Sequence, residues 1–435
     1  MFRDLPRYAD TKPSGFWNTP IPAGWREVPG FAVARENRRK NSDLAETQVL
    51  SLSYGRIVAK PVEKQHGLVP DSYEGYQVLE PGDIVVRPTD LQNDQRSIRV
   101  GMVHNRGIIT SAYIGLRAQG DWESAYAYLY MSVVDSTKRI YGMGRGLRQQ
   151  LSWADIKRMP CLVPPPEEQA AIVKYLAHAN ARINKAIAAK RRLIALLEEQ
   201  RDVTVRAILS EGSASRPPSE YVATGRLCKI DTGVEDSGNA DPNGRYPFFV
   251  RGREVLRATD YHFDTEAVLT PGDGQGGTGK VFHYYNGKFQ AHQRVYVFSQ
   301  FSGVIARYFY WYMTAFFREH ALAQSNTVTM ESLRRPVLTS FRVAVPDQHA
   351  QRLLAERIEA RVADIAQVIE KTQREISLLQ EFRTRLVADV VTGQVDVRGV
   401  AVTLPDAAEA IADAVEEDVP VLDEELVDAV EGDDV

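Results

Sequence analysis

The stretch Gly274-Gln275-Gly276-Gly277-Thr278-Gly279-Lys280 has the glycines and closing lysine of a loop that cradles phosphates. Such a loop holds phosphate oxygens on backbone N–H groups, and the residue after the lysine offers magnesium a hydroxyl. Here that residue is Val281, and Val281 to Tyr284 read as a strand, so neither the hydroxyl nor a helix N-terminus follows. The better reading is a glycine-rich hairpin loop with one lysine, able to come close to a DNA backbone. Other catalytic patterns fail in similar ways. Ile140-Tyr141-Gly142-Met143-Gly144-Arg145-Gly146 has the glycines of a methyl-donor loop, yet no Asn or Asp precedes Pro-Pro and an aromatic residue anywhere in the chain. There is no H-E-x-x-H and no G-x-S-x-G. Among the histidines, His66, His104, His262, His283, His292 and His320 show no ligand spacing, and Cys161 and Cys228 form neither C-x-x-C nor a disulfide framework. No metal site and no catalytic residue is expected.

What remains is a set of side chains suited to recognition. Arg35, Arg38, Arg39 and Lys40 cluster early, and Arg245, Arg251, Arg253 and Arg257, with Gln275 and Lys280, cluster late. Guanidinium groups fork onto guanine edges or phosphates, lysines act as point charges, and a glutamine amide can read a base edge. The net charge of −4 hides this basic character. No Lys or Arg follows Arg398, while 13 acids do; setting those aside reduces the 57 acidic residues to 44 against 53 basic ones, a net +9 for residues 1–399. A basic body fits a polyanionic partner. The acidic remainder, 399–435, reads as a solvated, disordered tail.

The elements that would position these groups are repeated. Val163-Pro164 and Val345-Pro346 each open a long helical pattern, and apolar positions recur at an offset of 182 residues: Ile172 with Leu354, Leu176 with Ile358, Ile183 with Ile365, Ile187 with Ile369, Ile194 with Ile376, Leu197 with Leu379 and Ile208 with Val390. Each rod would be about 65 to 70 Å long. One such stripe left in water costs about 1.5 to 3 kcal/mol per large apolar side chain, so the rods should pair, and their 3- and 4-residue spacings suit a coiled coil. The first rod is expected from Pro164-Pro165-Pro166 to Ser210-Glu211-Gly212, and the second from Asp347 as N-cap to Gly393 as C′. Before each lies a stretch of short strand-like runs, among them Gln48 to Leu52, Asp83 to Arg87 and Ile108 to Leu116, and an aromatic helix (Tyr126 to Tyr130, Tyr308 to Tyr312) read as core. Pro81-Gly82 with the strand after it is taken to echo Ala267 to Gly272.

The expected fold is α+β: two mixed α/β domains separated by two long helices in an antiparallel coiled coil, with a pseudo-twofold repeat. The boundaries read as an N-terminal extension at 1–15, a first domain at 16–150, a helical region at 151–212, a linker at 213–219, a second domain at 220–330, a helical region at 331–398 and the tail at 399–435. The 435 residues are 44% apolar and 25% charged, ordinary for a soluble chain, and the start lacks a hydrophobic signal region, so the cytoplasm is expected.

Several short motifs together resemble the specificity subunits of type I restriction-modification systems over nearly all of residues 7–398. Tyr8-Ala9-Asp10, Ser14-Gly15-Phe16-Trp17 and Ile21-Pro22-Ala23-Gly24-Trp25 resemble the family's opening segment. Val163-Pro164-Pro165-Pro166-Glu167-Glu168-Gln169 is similar to its helix entry, and Leu196-Leu197-Glu198-Glu199-Gln200-Arg201 and Leu378-Leu379-Gln380-Glu381-Phe382-Arg383 to its helix-end signature. Val391-Thr392-Gly393-Gln394-Val395-Asp396 resembles its closing motif, whereas Pro346-Asp347-Gln348-His349-Ala350-Gln351 departs from the Pro-Pro and Glu-Gln pattern at the second entry. The resemblance implies a non-catalytic chain whose two target-recognition domains each read half of an interrupted site in double-stranded DNA, with the coiled coil setting the spacing. It also implies two modification subunits that use S-adenosylmethionine to methylate adenine, and restriction subunits that use ATP and Mg. Two alternatives stay open: a coiled-coil scaffold or adaptor without sequence-specific DNA binding, and an enzyme built on the glycine-rich loop.

Overall fold

The computed structural model describes residues 5–53, 55–60, 72–89, 91, 98–143, 150–211, 221–273, 279–324 and 332–405. They form two compact units, 5–189 with 375–405, and 190–374.

In the first unit, β1 (Thr11–Lys12) pairs with β2 (Ile21–Pro22), and β3 (Arg26–Pro29) leads to β4 (Ala34–Glu36). The hairpin of β5 (Leu50–Ser53) and β6 (Arg56–Ala59) is followed by β7 (Gln77–Leu79), β8 (Ile84–Val86), β9 (Val100–Met102), β10 (Gly107–Ile109) and β11 (Ile114–Ala118). The central sheet runs β4-β11-β8-β9, antiparallel throughout. β8 is Ile-Val-Val and wholly buried, as a sheet covered on both faces requires. One helix, α1 (Ser124–Ser136), buries Tyr126, Tyr130, Met131 and Val134. Then α2 (Trp153–Ile156) and β12 (Pro160–Val163), paired with β3, deliver the chain to α3 (Pro166–Glu211). The expected strand from Ile108 to Leu116 is broken: Thr110 to Tyr113 turn, because the buried Gln77 amide donates to the carbonyls of both Thr110 (3.2 Å) and Tyr113 (2.7 Å).

An ion pair secures this sheet. Arg117 donates from Nε and Nη2 to the two Asp83 oxygens at 2.6 and 2.7 Å, and the Asp83 side chain is 1% exposed. Arg117→Met should destabilise the first unit by about 2 kcal/mol, less than for a fully buried pair because the guanidinium is partly solvated. Thermal unfolding indistinguishable from the parent would contradict this.

The second unit repeats the scheme. β13 (Tyr221–Ala223) and α4 (Thr224–Leu227) precede β14 (Lys229–Thr232), β15 (Tyr246–Phe249), β16 (Val255–Ala258), β17 (Phe263–Pro271), β18 (His283–Ala291) and β19 (Val295–Ser299). Their sheet runs β14-β19-β17-β18-β15-β16, with β15 parallel to β18. α5 (Ala306–Ala323) packs Tyr308, Phe309, Tyr312 and Phe317 into the core, before α6 (Arg335–Ser340), β20 (Arg342–Ala344), paired with β13, and α7 (Gln348–Val391). The strand expected from Val281 begins at His283. The Pro-Gly echo also fails in register: Pro81-Gly82 precedes β8, but Pro271 is the last residue of β17, the strand that takes the place of β8 beside β19, and Gly272 follows it.

The 182-residue offset reaches well beyond the helices. α1 and α5, α2 and α6, β12 and β20, and α3 and α7 all begin 182 residues apart. A buried glutamine shows that the copies agree in bonding. Gln169 donates to the carbonyls of Asp121 (2.7 Å) and Pro164 (2.8 Å) and accepts the Glu123 N–H (2.9 Å). Gln351 donates to Gly303 (3.1 Å) and Pro346 (2.7 Å) and accepts the Ile305 N–H (2.7 Å). Every one of these partners lies at the same offset. The departure of the second entry from the family pattern is therefore confined to its neighbours, for Gln351 keeps the bonds, and Asp347 caps the helix by accepting the Ala350 N–H at 2.9 Å.

In each unit α3 meets α7. Ile172, Leu176, Ile183 and Ile187 are buried with Leu386 and Val390 in the first, and Val205, Ile208 and Leu209 with Ile358 and Val362 in the second. Asn184 bonds Arg383 (3.0 Å) and Glu211 pairs with Arg357 (2.6 Å), so partners fall along α7 as numbers rise along α3, which is antiparallel pairing. Ile194, Leu197, Leu354, Ile365, Ile369, Ile376 and Leu379 are only half-buried, since a two-helix pair covers a side chain from one side. α7 ends in a Schellman motif: Gly393 adopts φ +73°, its N–H donates to Val390, and the Gln394 N–H donates to Asp389 at 2.7 Å. The chain start closes on this end. Asp396 N–H donates to Pro6, the Gln394 amide to Pro20, and the Tyr8 hydroxyl to the buried Glu168 carboxylate. Past Asp396, the short α8 (Arg398–Ala401) ends the described helices. Among the described residues no helix is long and apolar enough to cross a membrane.

Candidate nucleic-acid interface

The early basic cluster sits where β4 leaves the central sheet. Arg35 is exposed on β4, and Asn37 fixes the following loop by donating to the Val78 carbonyl (2.6 Å) while its oxygen accepts the Arg39 N–H (3.1 Å). Arg38 pairs with Glu36 (3.0 Å) and Arg39 with Glu80 (3.1 Å), both at the surface. Such pairs are worth about 0 to 1 kcal/mol, so a phosphate can displace the carboxylate at small cost. Two open clefts flank the loop. One, of about 310 Å³, is lined by Arg39, Lys40, Asn41, Glu46 and Arg106; the other, of about 420 Å³, by Arg38, Lys40, Gln77, Ser111 and Tyr113. Lys40 lines both. Sequence reading missed Arg106, which pairs with Glu46 (2.9 Å) and Glu80 (3.3 Å) and so joins Arg39 from 67 positions away. The N–H groups of Gln48 and Thr47, with Arg106, hold the Glu46 carboxyl below its ordinary range, which keeps it charged beside the arginines.

The late cluster is more dispersed. Arg251 and Arg253 lie in the turn between β15 and β16, and Lys280 is exposed just before β18. His283 Nε2 lies 3.1 Å from the Gly252 carbonyl, which brings the β15-β16 turn to the start of β18, three residues from Lys280. Burial pushes the His283 imidazole below its ordinary value, so it is neutral and donates to that carbonyl. Arg253 is tied to α3 through Glu198 at 2.7 Å and Arg251 is exposed. Gln275 lies outside the described residues. Arg245 lies just before β15 over the Tyr246 ring, and Lys288 on β18 sits 4.5 Å over the Tyr261 ring.

Neither cysteine is poised to act as a nucleophile: both are free, and burial pushes both thiols up to about 12. Among the described residues no three His, Cys, Asp or Glu side chains gather as a metal site. The arrangement offers charge, forks and stacking surfaces in two separate sheets, the equipment of binding.

Residues 218–378 match the family model of the type I restriction modification DNA specificity domain. Over 184 residues, 42% of the chain, the sequence is 29% identical to the type I restriction enzyme EcoDI specificity subunit of Escherichia coli. The match spans 40% of the length of that curated relative. A solved chain from work on complex assembly and conformational transition of the type I R-M system shares the fold, with a TM-score of 0.59 at 15% identity over 86% of this chain and 99% of that one.

Proposed function

We infer that this chain, a member of the type I restriction-modification specificity subunits, is the non-catalytic component that chooses the DNA sequence. Residues 16–150 and 220–330 are the two target-recognition domains, 151–212 and 331–398 the helical regions, with 1–15, 213–219 and 399–435 as extension, linker and tail. Each domain reads one half of a bipartite site, and the paired helices set the spacing between halves. Methylation of adenine falls to two modification subunits carrying S-adenosylmethionine, and translocation and cleavage to restriction subunits using ATP and Mg, in the cytoplasm.

The observation that carries this reading is the duplicated module with its identical buried bonds at Gln169 and Gln351, each copy presenting its own cationic face. A bipartite target calls for two readers of one construction with unlike loops. Arg35, Arg38, Arg39, Lys40, Arg251, Arg253, Gln275 and Lys280 supply phosphate contacts that set register, and base contacts that choose sequence. Footprinting of the chain with its modification partner should protect two short segments separated by an unprotected spacer. Binding without sequence preference would leave only the scaffold reading.

A further inference from the structure

We propose that Tyr113 contacts a base of the DNA target, aimed by the buried Gln77, while Lys40 in the same cleft holds the DNA backbone. This deepens, and rests on, the reading of residues 16–150 as a recognition domain. β7 joins the two walls of that cleft. On one side the Val78 N–H donates to the Arg39 carbonyl at 2.8 Å and Gln77 bridges Lys40, which ties the basic loop to the strand. On the other side β7 pairs with β10, and the Gln77 amide, on a residue only 5% exposed, donates to the carbonyls of Thr110 and Tyr113. The turn is tied further by the Tyr113 N–H to the Thr110 carbonyl at 3.2 Å, and by the Ser111 hydroxyl to the Gly75 carbonyl. These bonds fix a surface turn more firmly than joining β10 to β11 requires.

Two side chains in the cleft are left for a ligand. The Tyr113 ring packs on the buried cluster of Leu50, Leu79, Val85, Val103 and Ile109, yet its hydroxyl has no hydrogen-bond partner among the described residues. Lys40 is exposed, and its ammonium makes no ion pair among the described residues. Their chemistries differ. An ammonium is a point charge suited to a phosphate, whereas a phenol hydroxyl both donates and accepts and so can bond a base edge. A ring already held by its packing, on a turn already held by Gln77, loses little freedom when it binds. Gln77 is therefore a positioning residue, acting on DNA only through the turn it holds.

The full chain with its modification partner is titrated, at several salt concentrations, with duplexes carrying the parent's methylated motif and each single-base replacement of it. In Tyr113→Phe, discrimination should fall about tenfold at one base pair, in the half that changes when residues 16–150 are exchanged. The other half and the salt dependence should stay as in the parent. Lys40→Met should weaken every duplex alike and lower the slope of log affinity against log salt by about one. Gln77→Leu should lose discrimination at the base pair that Tyr113→Phe affects, and adding Tyr113→Phe to it should cost that base pair nothing more. Undiminished discrimination in Tyr113→Phe, a loss in the other half, or uniform weakening of all duplexes would each overturn the proposal. Tyr113→Phe keeps the packed ring, so its result decides whether or not Gln77→Leu folds. A parent that itself prefers no motif overturns the recognition reading and this inference with it; a discriminating parent beside an equally discriminating Tyr113→Phe overturns this inference alone.

Discussion

Gln351→Leu should destabilise the second unit by about 2 to 4 kcal/mol, because it strands the buried Pro346 carbonyl, at about 1 to 3 kcal/mol, and breaks the part-buried bonds to the Gly303 carbonyl and the Ile305 N–H at a smaller cost each. Gln351 is fully buried and its amide joins the Gly303 and Pro346 carbonyls to the first turn of α5 through the Ile305 N–H. Gln351→Glu should be worse, since a carboxylate has only acceptors to turn toward two carbonyls. Gln169→Leu should cost the first unit a similar amount through Asp121, Pro164 and Glu123. Calorimetry of the variants checks this. A large loss for Gln169→Leu beside a loss under about 1 kcal/mol for Gln351→Leu would show that the copies are not equivalent.

Gly393→Ala should also be severe, at about 2 to 4 kcal/mol, for two additive reasons. Its φ of +73° is a conformation that L-residues adopt at a cost, and a Cβ there runs into the Pro22 ring and approaches Trp25 at 3.2 Å. Gly120 separates the two effects: its φ is +63°, but a Cβ would find nothing closer than the Ala32 carbonyl at 3.9 Å. Gly120→Ala should therefore lose only about 1 kcal/mol. Equal losses at the two glycines in thermal melts would mean that the contact of the α7 end with Pro22 adds nothing.

The helical half of this architecture was legible from sequence for a physical reason. A 3.6-residue period over more than forty positions leaves few alternatives, and Asp347 and Gly393 carry the chemistry of their cap positions at the two ends of α7. The strands were less legible. Ile108 to Leu116 looks continuous because its apolar residues hide a turn that Gln77 holds from thirty-odd positions away. The Pro-Gly echo misled because Pro81-Gly82 begins a strand while Pro271-Gly272 ends one. In the candidate interface, charge alone found Arg38, Arg39 and Lys40 but could not find Arg106, whose place beside Arg39 is made by Glu80. Charge alone also points to Arg253, but not to its bond with Glu198 on α3, which helps hold the β15-β16 turn.

The central claim is that two independent readers of one construction choose the two halves of a DNA target. It is tested most directly by mapping methylated adenines across the genome of a host whose chain has residues 16–150 exchanged for another recognition domain. One half of the methylated motif should change while the other half and the spacer length stay the same. Loss or alteration of both halves, or a motif that does not change, would contradict it.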